Sequence, residues 1–591
     1  MEINMIVLQE LLLSNNKEYC MQEMLYRGKT VIFQNNCLTF KNEISFDTYF
    51  NMFSSCKWNT YTKISTVSFK ISLQGRGKIE VVAGNQDNIK ECIIKEIKYN
   101  SDKIITIDVL ENCPIMHLKD YCYIKILSDG YTSIFNGKYY SNDDIISETK
   151  KYALGICTFK RETDVERNIK ILIQEILDNK ESPLYNLIDV YISDNGNTLP
   201  LKKWNQYPFI HIFYNKNYGG SAGFTRTMIE SEIYKNDTFY NYIILMDDDI
   251  LLLPSVFIRL HYFVRVLKDE FKNSIIGGAN LNLQKKNIQS ETCGFYNAKN
   301  GRNIITKQNG LDLCNKENII FNEKYVNTNF CGWWFSCIPE QVITEQNLPL
   351  PLFLHRDDQE YGARTEKKVI GLNGICIWHP KTSGKHPDYI WYYEARNMLI
   401  ASMSLCPEEM TSKQLKKEML RMAISSCLAY RYGKAEMILR GYEEFLDGVD
   451  NFKKINPEKN HINLIMLSKR DSFLIDKESL LKVKKKSTET KVHILIRIAR
   501  YFFPSFRDCY VEDECSPSAY VGKRKVFVVN SETKSTYLLE KDWRKTLGIV
   551  KKMFVIMRKI DRDYIYIKKE WIEAVKEFKT IDFWKKYLEI Q

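Results

Sequence analysis

In the stretch Tyr242–Pro254, YIILMDDDILLLP, a short apolar run leads directly into three consecutive carboxylates, Asp247, Asp248 and Asp249. A second apolar run follows, with Pro254 at the first turn of an expected helix. Like charges this close push one another's pKa up, so a chain that ends a buried strand this way must supply a cation or keep the acids wet. Alternate residues of an extended segment point the same way. Asp247 and Asp249 can therefore face one point while Asp248 faces elsewhere. Hard oxygen ligands of this kind suit Mg²⁺ or Mn²⁺. A solvated acidic turn is the other reading, and the triplet alone does not separate the two.

The neighbouring pattern bears on that choice. From about Lys150 expected strands (Tyr152–Thr158, Ile188–Ser193, Phe209–Tyr214, Tyr242–Met246, Ile275–Ala279) alternate with expected helices (Thr163–Leu177, Phe224–Tyr234). That alternation predicts an α/β fold with a parallel sheet covered on both faces. Ligands of such sheets bind outside the carboxyl ends of the strands, and the polar clusters of this chain fall there. They are Asp194-Asn195-Gly196, the loop Asn217-Tyr218-Gly219-Gly220-Ser221-Ala222-Gly223-Phe224, and the acidic triplet. The glycine loop is neither G-x-G-x-x-G nor a Walker A loop, so no nicotinamide or ATP site is indicated. Gly219 and Gly220 can let backbone N–H groups approach an anionic ligand at a helix start, or can simply form a tight turn.

Further along, Trp333 and Trp334 are adjacent, and on a strand they would point to opposite faces, one to the core and one free to stack on a sugar. His355-Arg356-Asp357-Asp358 opens an expected helix whose first turn suits acids. His379 ends the expected strand Ile375–Trp378, which makes it a better ligand candidate than a lone histidine, and His386 follows.

At 591 residues the chain is too long for one core. Residues 1–147 read as a β-sandwich, jelly-roll-like, with short strands such as Lys63–Leu73, Gly77–Ala83, Cys92–Tyr99 and Lys103–Leu110 separated by turns at Gly75, Gly77, Ser101-Asp102 and Asp129-Gly130. Residues 148–405 form the alternating domain. Residues 406–591 read as mainly helical, with a break expected around Pro504–Val521. This last part is basic: from Leu480 onward there are 26 Lys and Arg against 15 Asp and Glu, nearly the whole net charge of +12. Anionic membrane contact is one use of such charge, a solvated helical face is another, and no nucleic-acid motif accompanies it. No window is apolar enough to span a bilayer, and Glu2 stands where a secretion signal wants positive charge. The expected location is cytoplasmic, with peripheral attachment to the inner face of the membrane as an option. The 16 scattered cysteines, none in a C-x-x-C pair, fit buried thiols rather than disulfides or zinc.

Taken together, Thr158-Phe159-Lys160-Arg161, Asp194-Asn195-Gly196, Asn217-Tyr218-Gly219-Gly220, Asp247-Asp248-Asp249, Gly332-Trp333-Trp334-Phe335, Asp357-Asp358-x-Glu360-Tyr361-Gly362 and Trp378-His379 resemble, in order, the GT-A nucleotide-sugar-dependent glycosyltransferases of family 2. More narrowly they resemble the polymerising galactofuranosyltransferases of bacterial cell-wall galactan. Those enzymes also carry an N-terminal β-sandwich and a C-terminal helical region, and Thr48-Tyr49-Phe50-Asn51 with Trp58 looks like theirs.

The resemblance implies a GT-A (Rossmann-like) catalytic domain and an inverting transfer of galactofuranose from UDP-galactofuranose to a glycan or glycolipid acceptor. It implies that Asp247, Asp249 and His379 hold Mn²⁺ or Mg²⁺, and that Arg161, Asn195 and Asn217 contact the nucleotide with Asp194 nearby. Gly219, Gly220 and Asp248 are assigned to the donor side. Asp358 would be the base, and Trp333, Trp334, Asp357 and His386 would line the acceptor site. Tyr218, Ala222 and His355-Arg356 depart from the family pattern close to both sugars. Another nucleotide sugar (a rhamnose or a pyranose hexose) and a non-catalytic glycan- or membrane-binding assembly protein are the alternatives, and a homo-oligomer is left open.

Overall fold

The computed structural model describes residues 5–14, 21–87, 89–145, 147–233, 239–298, 302–304, 308–380, 387–468, 473–474, 484–485, 492–503, 505, 507–512, 515–529 and 535–590. The chain is a mixed α/β protein. Its N-terminal part is one antiparallel sheet ordered Thr30–Gln34, Cys37–Ser45, Tyr121–Ser141, Thr66–Gly84, Glu91–Pro114, with Ile6–Glu10 paired to Tyr121–Ser141. The short strands and turns read from the sequence are here three long strands. Gly75, Gly77, Ser101-Asp102 and Asp129-Gly130 are not chain reversals but lie inside them. Gly75 pairs with Ser101, and the register against Tyr121–Ser141 slips between Gln74 and Gly77. Bulges at one level across neighbouring strands bend the sheet without ending it, and local turn chemistry cannot tell a bulge from a reversal. Gly75 has φ +136°, and a Cβ there would lie 2.7 Å from the Tyr131 carbonyl oxygen.

A second, nine-stranded sheet is ordered Leu311–Asp312, Ile288–Glu291, Ile275–Asn282, Phe335–Pro339, Tyr242–Asp247, Tyr152–Thr158, Ile188–Asp194, Ile210–Tyr214, with Val369–His379 running parallel to Ile275–Asn282. Four strands, Tyr242–Asp247, Tyr152–Thr158, Ile188–Asp194 and Ile210–Tyr214, are mutually parallel. The first three are buried almost throughout, as a doubly covered parallel sheet requires, while the edge strand Ile210–Tyr214 is only partly covered. Phe335–Pro339 enters antiparallel beside Tyr242–Asp247. The carboxyl ends of the four parallel strands deliver Thr158, Asp194, Tyr214 and Asp247 to one edge.

A single apolar core runs from the N-terminal sheet into this one. Trp58 packs edge-on to Phe263 at 5.2 Å, and Phe50 lies 6.2 Å from Trp378. Buried Arg259 donates to the carbonyls of Phe50 and Asn373, and Lys57 pairs with buried Glu323 at 3.1 Å. The change of topology at 147/148 is therefore not a change of core.

After residue 405 the helices Ser412–Leu428, Tyr432–Leu446 and Trp543–Glu577 pack with Ile390–Leu405 around a second core in which Phe445 stacks on Trp571 at 5.1 Å. A five-stranded sheet accompanies them, and the stretch expected as a break around Pro504–Val521 supplies its strand Cys509–Glu512. That strand is only four residues long, too short for its alternation to stand out. The last helix, Ile581–Leu588, returns to the alternating domain, where Trp584 Nε1 donates to the Pro349 carbonyl at 2.9 Å.

Gly75→Ala should lower the stability of the chain by about 1–3 kcal/mol, because it combines a left-handed φ with a backbone clash. An unchanged midpoint of the first thermal unfolding transition would show that the bend tolerates a side chain.

Candidate active site

The strand Tyr242–Asp247 ends inside the molecule, and the backbone alternation carries on through the triplet. Asp247 and Asp249 point toward His379, whose Nε2 lies 3.6 Å from Asp247 Oδ2 and 3.2 Å from Asp249 Oδ1. One ligand atom from each of the three lies within 4.8 Å of the others. His379 Nδ1 is 2.7 Å from the Pro380 carbonyl oxygen, which can only accept. Nδ1 therefore carries the hydrogen and Nε2 is turned to the acids, the arrangement that orients a ligating histidine.

Asp248 turns the other way. It is buried, accepts from Thr158 Oγ1 at 2.7 Å and pairs with Arg161 at 2.8 Å. Arg161 also reaches Asp249 at 2.7 Å, so one guanidinium bridges two carboxylates of the triplet.

The charge balance is uneven across the three acids. Burial, more than His379 can offset, pushes Asp247 up to about 7. Burial also acts on Asp249, but the His379 hydrogen bond and charge together with Arg161 outweigh it and hold that carboxyl below its usual range. Burial pulls His379 down, and the two carboxylates override it to about 9. Asp249 Oδ1 is buried and meets the imidazole of His379 at 3.2 Å. Two carboxylates and an imidazole gathered within ligand distance of one point are a donor set that fits a divalent cation.

The residues expected to contact the nucleotide separate in the structure. Arg161, half exposed just before the helix Glu162–Leu172, faces the cleft. Asp194 does not have a free carboxylate: it accepts from the backbone N–H groups of Gly196 (2.9 Å), Thr198 (2.7 Å) and Leu199 (2.7 Å), and so shapes its own loop. Asn195 is buried, donates to the Gly219 carbonyl at 3.1 Å and accepts from Asn215 at 3.0 Å, tying two loops together. Asn217 accepts weakly from Gly219 N–H and lies 3.5 Å from Glu458.

The glycine stretch is itself the first turn of the helix Gly219–Ile233, five residues earlier than expected. Gly219 has φ +82°, and a Cβ there would meet the Phe353 carbonyl oxygen at 2.1 Å. A Cβ at Gly223 would meet Cys157 Sγ at the same distance. Both glycines serve close packing, and only Gly220 faces open space. Beside them Tyr218 packs against Tyr587 at 4.8 Å, a neighbour no local reading of the sequence could supply.

Asp357 and Asp358 open the helix Asp357–Thr365 and are half-buried. The loop before them holds three non-glycine residues with left-handed φ: Phe353 (+71°), His355 (+65°) and Arg356 (+69°). Such residues each cost about 1–3 kcal/mol and persist only when their surroundings dictate them. The helix Ile390–Leu405 does so: buried Asn397 donates to the carbonyls of Leu352 (3.0 Å), Leu354 (2.7 Å) and His355 (2.9 Å). Arg356, also buried, pairs with Glu394 at 2.5 Å and donates to Tyr296 Oη at 3.2 Å. Inside the helix Glu360 is fully buried against Arg364 at 2.7 Å. The loop is thus fastened on both sides of the acid pair.

Burial raises Asp358 well above the usual carboxylate range, and the charges of Asp357, Glu291 and Asp247 add to it. Asp357 is pushed up to about 6 by burial, against the pull of two backbone N–H groups.

Trp333 and Trp334 lie in a turn before the strand Phe335–Pro339, not on a strand. Trp333 is buried, edge-on to Phe224 at 5.5 Å and to Tyr361 at 6.0 Å, so its faces are used in the core and it is not free to stack on an acceptor. Trp334 is the partly open one, fixed by Nε1 donating to the Gly278 carbonyl at 2.8 Å. His386 lies outside the described residues.

One group was missed. Glu291 ends the strand Ile288–Glu291 with its residue surface partly open, and desolvation of its carboxyl raises it against the pull of His379. It also acts electrostatically on Asp358. A strand-end acid was the available signal, but a four-residue strand gave it no context.

A family profile described as "Galactofuranosyltransferase 2 N-terminal" matches residues 17–113. Among curated proteins, the chain is 26% identical over 459 residues to "Galactofuranosyltransferase GlfT2" of Mycolicibacterium smegmatis, covering 70% of this chain and 66% of that one. It is 24% identical over 444 residues to the protein of the same name from Mycobacterium tuberculosis, covering 70% and 67%. The chain thus spans about two thirds of the length of these relatives. The resemblance read from the motifs is borne out. Among solved structures, a mannosyltransferase from Pyrobaculum calidifontis is similar with TM-score 0.28 and 7% identity over 54% of this chain and 85% of that one. A family 29 carbohydrate-binding module is similar with TM-score 0.17 and 14% identity over 24% and 97%. Scores this low fix no fold.

The donor set makes a direct prediction. Full-length protein should bind Mn²⁺ in the absence of any sugar nucleotide, and His379→Ala or Asp249→Asn should weaken that binding at least about tenfold, a typical loss for a ligand or its support. Titration followed by the electron paramagnetic resonance of free Mn²⁺ measures it, and equal affinity in the variants would exclude these residues as ligands.

Proposed function

We propose that the protein is an inverting, metal-dependent glycosyltransferase that moves galactofuranose from UDP-galactofuranose to a hydroxyl of a growing, lipid-linked cell-surface glycan. Residues 148–405 would be its GT-A domain, with the chain working at the cytoplasmic face of the membrane. The observation that carries this reading is the convergence, at the carboxyl ends of parallel strands, of Asp247, Asp249 and His379 with a second acid pair close enough for Asp247 to act on Asp358. The names of the two similar proteins support the choice of sugar.

A divalent cation held by Asp247, Asp249 and His379 would supply Lewis-acid neutralisation of the charge that grows on the departing diphosphate. The imidazole in the set favours Mn²⁺ over Mg²⁺, which takes oxygen ligands almost exclusively. Arg161 adds fixed positive charge on the nucleotide side, held there by Asp248 and Asp249.

Across the cleft Asp358 accepts the proton of the acceptor hydroxyl while that oxygen attacks the anomeric carbon and the bond from that carbon to the diphosphate oxygen breaks. UDP leaves with the bonding electrons, and a single displacement of this kind inverts the anomeric centre. A carboxylate whose proton affinity is raised by burial is a better base than a solvated one. Asp357 contributes to that through its charge, and Trp334 is placed to offer an aromatic face to the acceptor. The strained, fastened loop Phe353–Arg356 keeps the base from relaxing toward solvent.

Asp358→Ala should lower kcat by about 10²–10⁴ while UDP binding, followed by calorimetry, changes little. Near-normal turnover would remove Asp358 from the base role. The pH profile supplies a second test. The base works as a carboxylate, so the rate falls as pH drops through the apparent pKa of the coupled pair. Asp357 raises that value, so Asp357→Asn should move the acid limb of kcat to lower pH. A limb that stays in place or moves up would contradict the pairing.

A further inference from the structure

Behind the loop that leads into Asp357 and Asp358, three packed helices leave a cavity of about 360 Å³, a size within the range of small-molecule sites. Each helix turns one face to it. Ile390–Leu405 brings Trp391 and Glu394, Ser412–Leu428 brings Arg421 and Ser425, and Tyr432–Leu446 brings Lys434. The guanidinium of Arg356 closes the wall on the side of the loop. None of Asp247, Asp249, Asp357, Asp358 and His379 lines it, so the cavity is separate from the cleft.

The charges around this cavity do not balance. Arg356 is matched by Glu394 at 2.5 Å and Arg421 by Glu418 at 2.6 Å. Lys434 pairs with no acid among the described residues, and its Nζ sits 3.1 Å from the centroid of the Trp391 ring. Arg497 has no ion pair among them either. It donates to the Ser425 hydroxyl and carbonyl oxygens, each at 3.3 Å, while its Nε is buried without an acceptor. Burial pulls Lys434 down to about 7, and the charges of Arg431 and Arg421 push the same way against Glu394. An aromatic face attracts an ammonium but does not neutralise it. A cation held out of water without a counter-charge is what a bound anion relieves.

We propose that this cavity is a binding site for a small phosphate-bearing molecule, with Lys434, Arg421 and the Ser425 hydroxyl on its phosphate oxygens. The donors available select that chemistry. Arg421 meets Glu418 through Nε alone, which leaves its two terminal nitrogens for a ligand. Ser425 accepts from Arg497 and keeps its own hydroxyl hydrogen to donate. Ammonium and guanidinium groups side by side suit phosphate, and their charge repels a metal cation. Met398, Met422 and Ile438 complete the wall, where they can cover an apolar part of the ligand but cannot neutralise Lys434. Glu394 connects the cavity to the cleft: its carboxylate pairs with Arg356 and lies in the fields of both His355 and Lys434. An anion on Lys434 therefore bears on the contact that fastens the loop before the acid pair. The site stands independently of the transfer reaction proposed above.

Calorimetric titration of the full chain with pyrophosphate, and separately with glucose 1-phosphate, tests it in metal-free buffer containing EDTA. At least one of the two should bind, and the tighter one tells a diphosphate site from a site for a phosphate ester with an organic group. Lys434→Gln and Arg421→Gln should each weaken that binding about tenfold or more, as the loss of a charged hydrogen bond does. His379→Ala should leave it unchanged. A second measurement needs no variant. Acetic anhydride near neutral pH should acetylate Lys434 of the parent protein, and the bound anion should suppress that labelling while leaving exposed Lys551 labelled as before, read by peptide mass. Absence of binding to both probes, equal binding by the two cavity variants, or labelling of Lys434 that the anion does not change would overturn the proposal. So would binding that His379→Ala abolishes and Lys434→Gln keeps, since the anion would then lie in the cleft.

Discussion

The cleft depends on carboxylates held close enough to repel. The charges of Asp247, Asp248 and Asp249 act on one another, and those of Asp357, Glu291 and Asp247 act on Asp358. Two unit charges about 4 Å apart at an effective dielectric near 20 interact by about 4 kcal/mol, which is a large share of a domain's whole stability. The fold answers with two fixed cations. Arg161 spans Asp248 and Asp249, and His379 sits against Asp247 and Asp249. The answer is incomplete, because Asp247 remains pushed up to about 7 and the acid pair across the cleft is raised as well. An arrangement short of positive charge by this margin is poised to take up a cation, and that is the physical support for the proposed metal site.

Holding the second acid pair opposite the first requires backbone geometry that local preference opposes. Three left-handed residues in four would relax if released, since non-glycine residues avoid that region. Asn397 and Glu394 prevent it, saturating the carbonyls of the loop and the charge of its Arg356 from a helix that belongs to the second core. Removing either would leave buried polar groups unpaired as well as freeing the strain. The placement of Asp358, the proposed base, is thereby a property of the packing of Ile390–Leu405, not of the loop's own sequence.

What the sequence made legible follows this division. The alternating strands and helices of residues 148–405, and the opposed directions of Asp247 and Asp248, come from two-residue and near-four-residue periods that a local reading can see. The partners of Asp194 and Gly219 could not be seen. An Asp-Asn-Gly turn looks alike whether its carboxylate faces a nucleotide or caps its own loop, and a glycine beside Phe353 looks like one beside a phosphate. Trp333 and Trp334 show the same limit: adjacency predicted that one is core, but only the packing of Phe224 and Tyr361 decides which. In the N-terminal sheet Gly75 and Gly77 carry the composition of a turn and the geometry of a bulge, because the neighbouring strand that makes it a bulge arrives from about 50 residues away.

The two cores also explain why residues remote from the cleft belong to its working. Trp543–Glu577 packs on Tyr432–Leu446, which packs on Ile390–Leu405, which fastens the loop before Asp357. At its far end the chain continues into Ile581–Leu588, whose Tyr587 lies against Tyr218 at the mouth of the glycine turn. The helix-to-helix steps are apolar packing and the step to the loop is hydrogen bonding, and close-packed interiors transmit position with little slack.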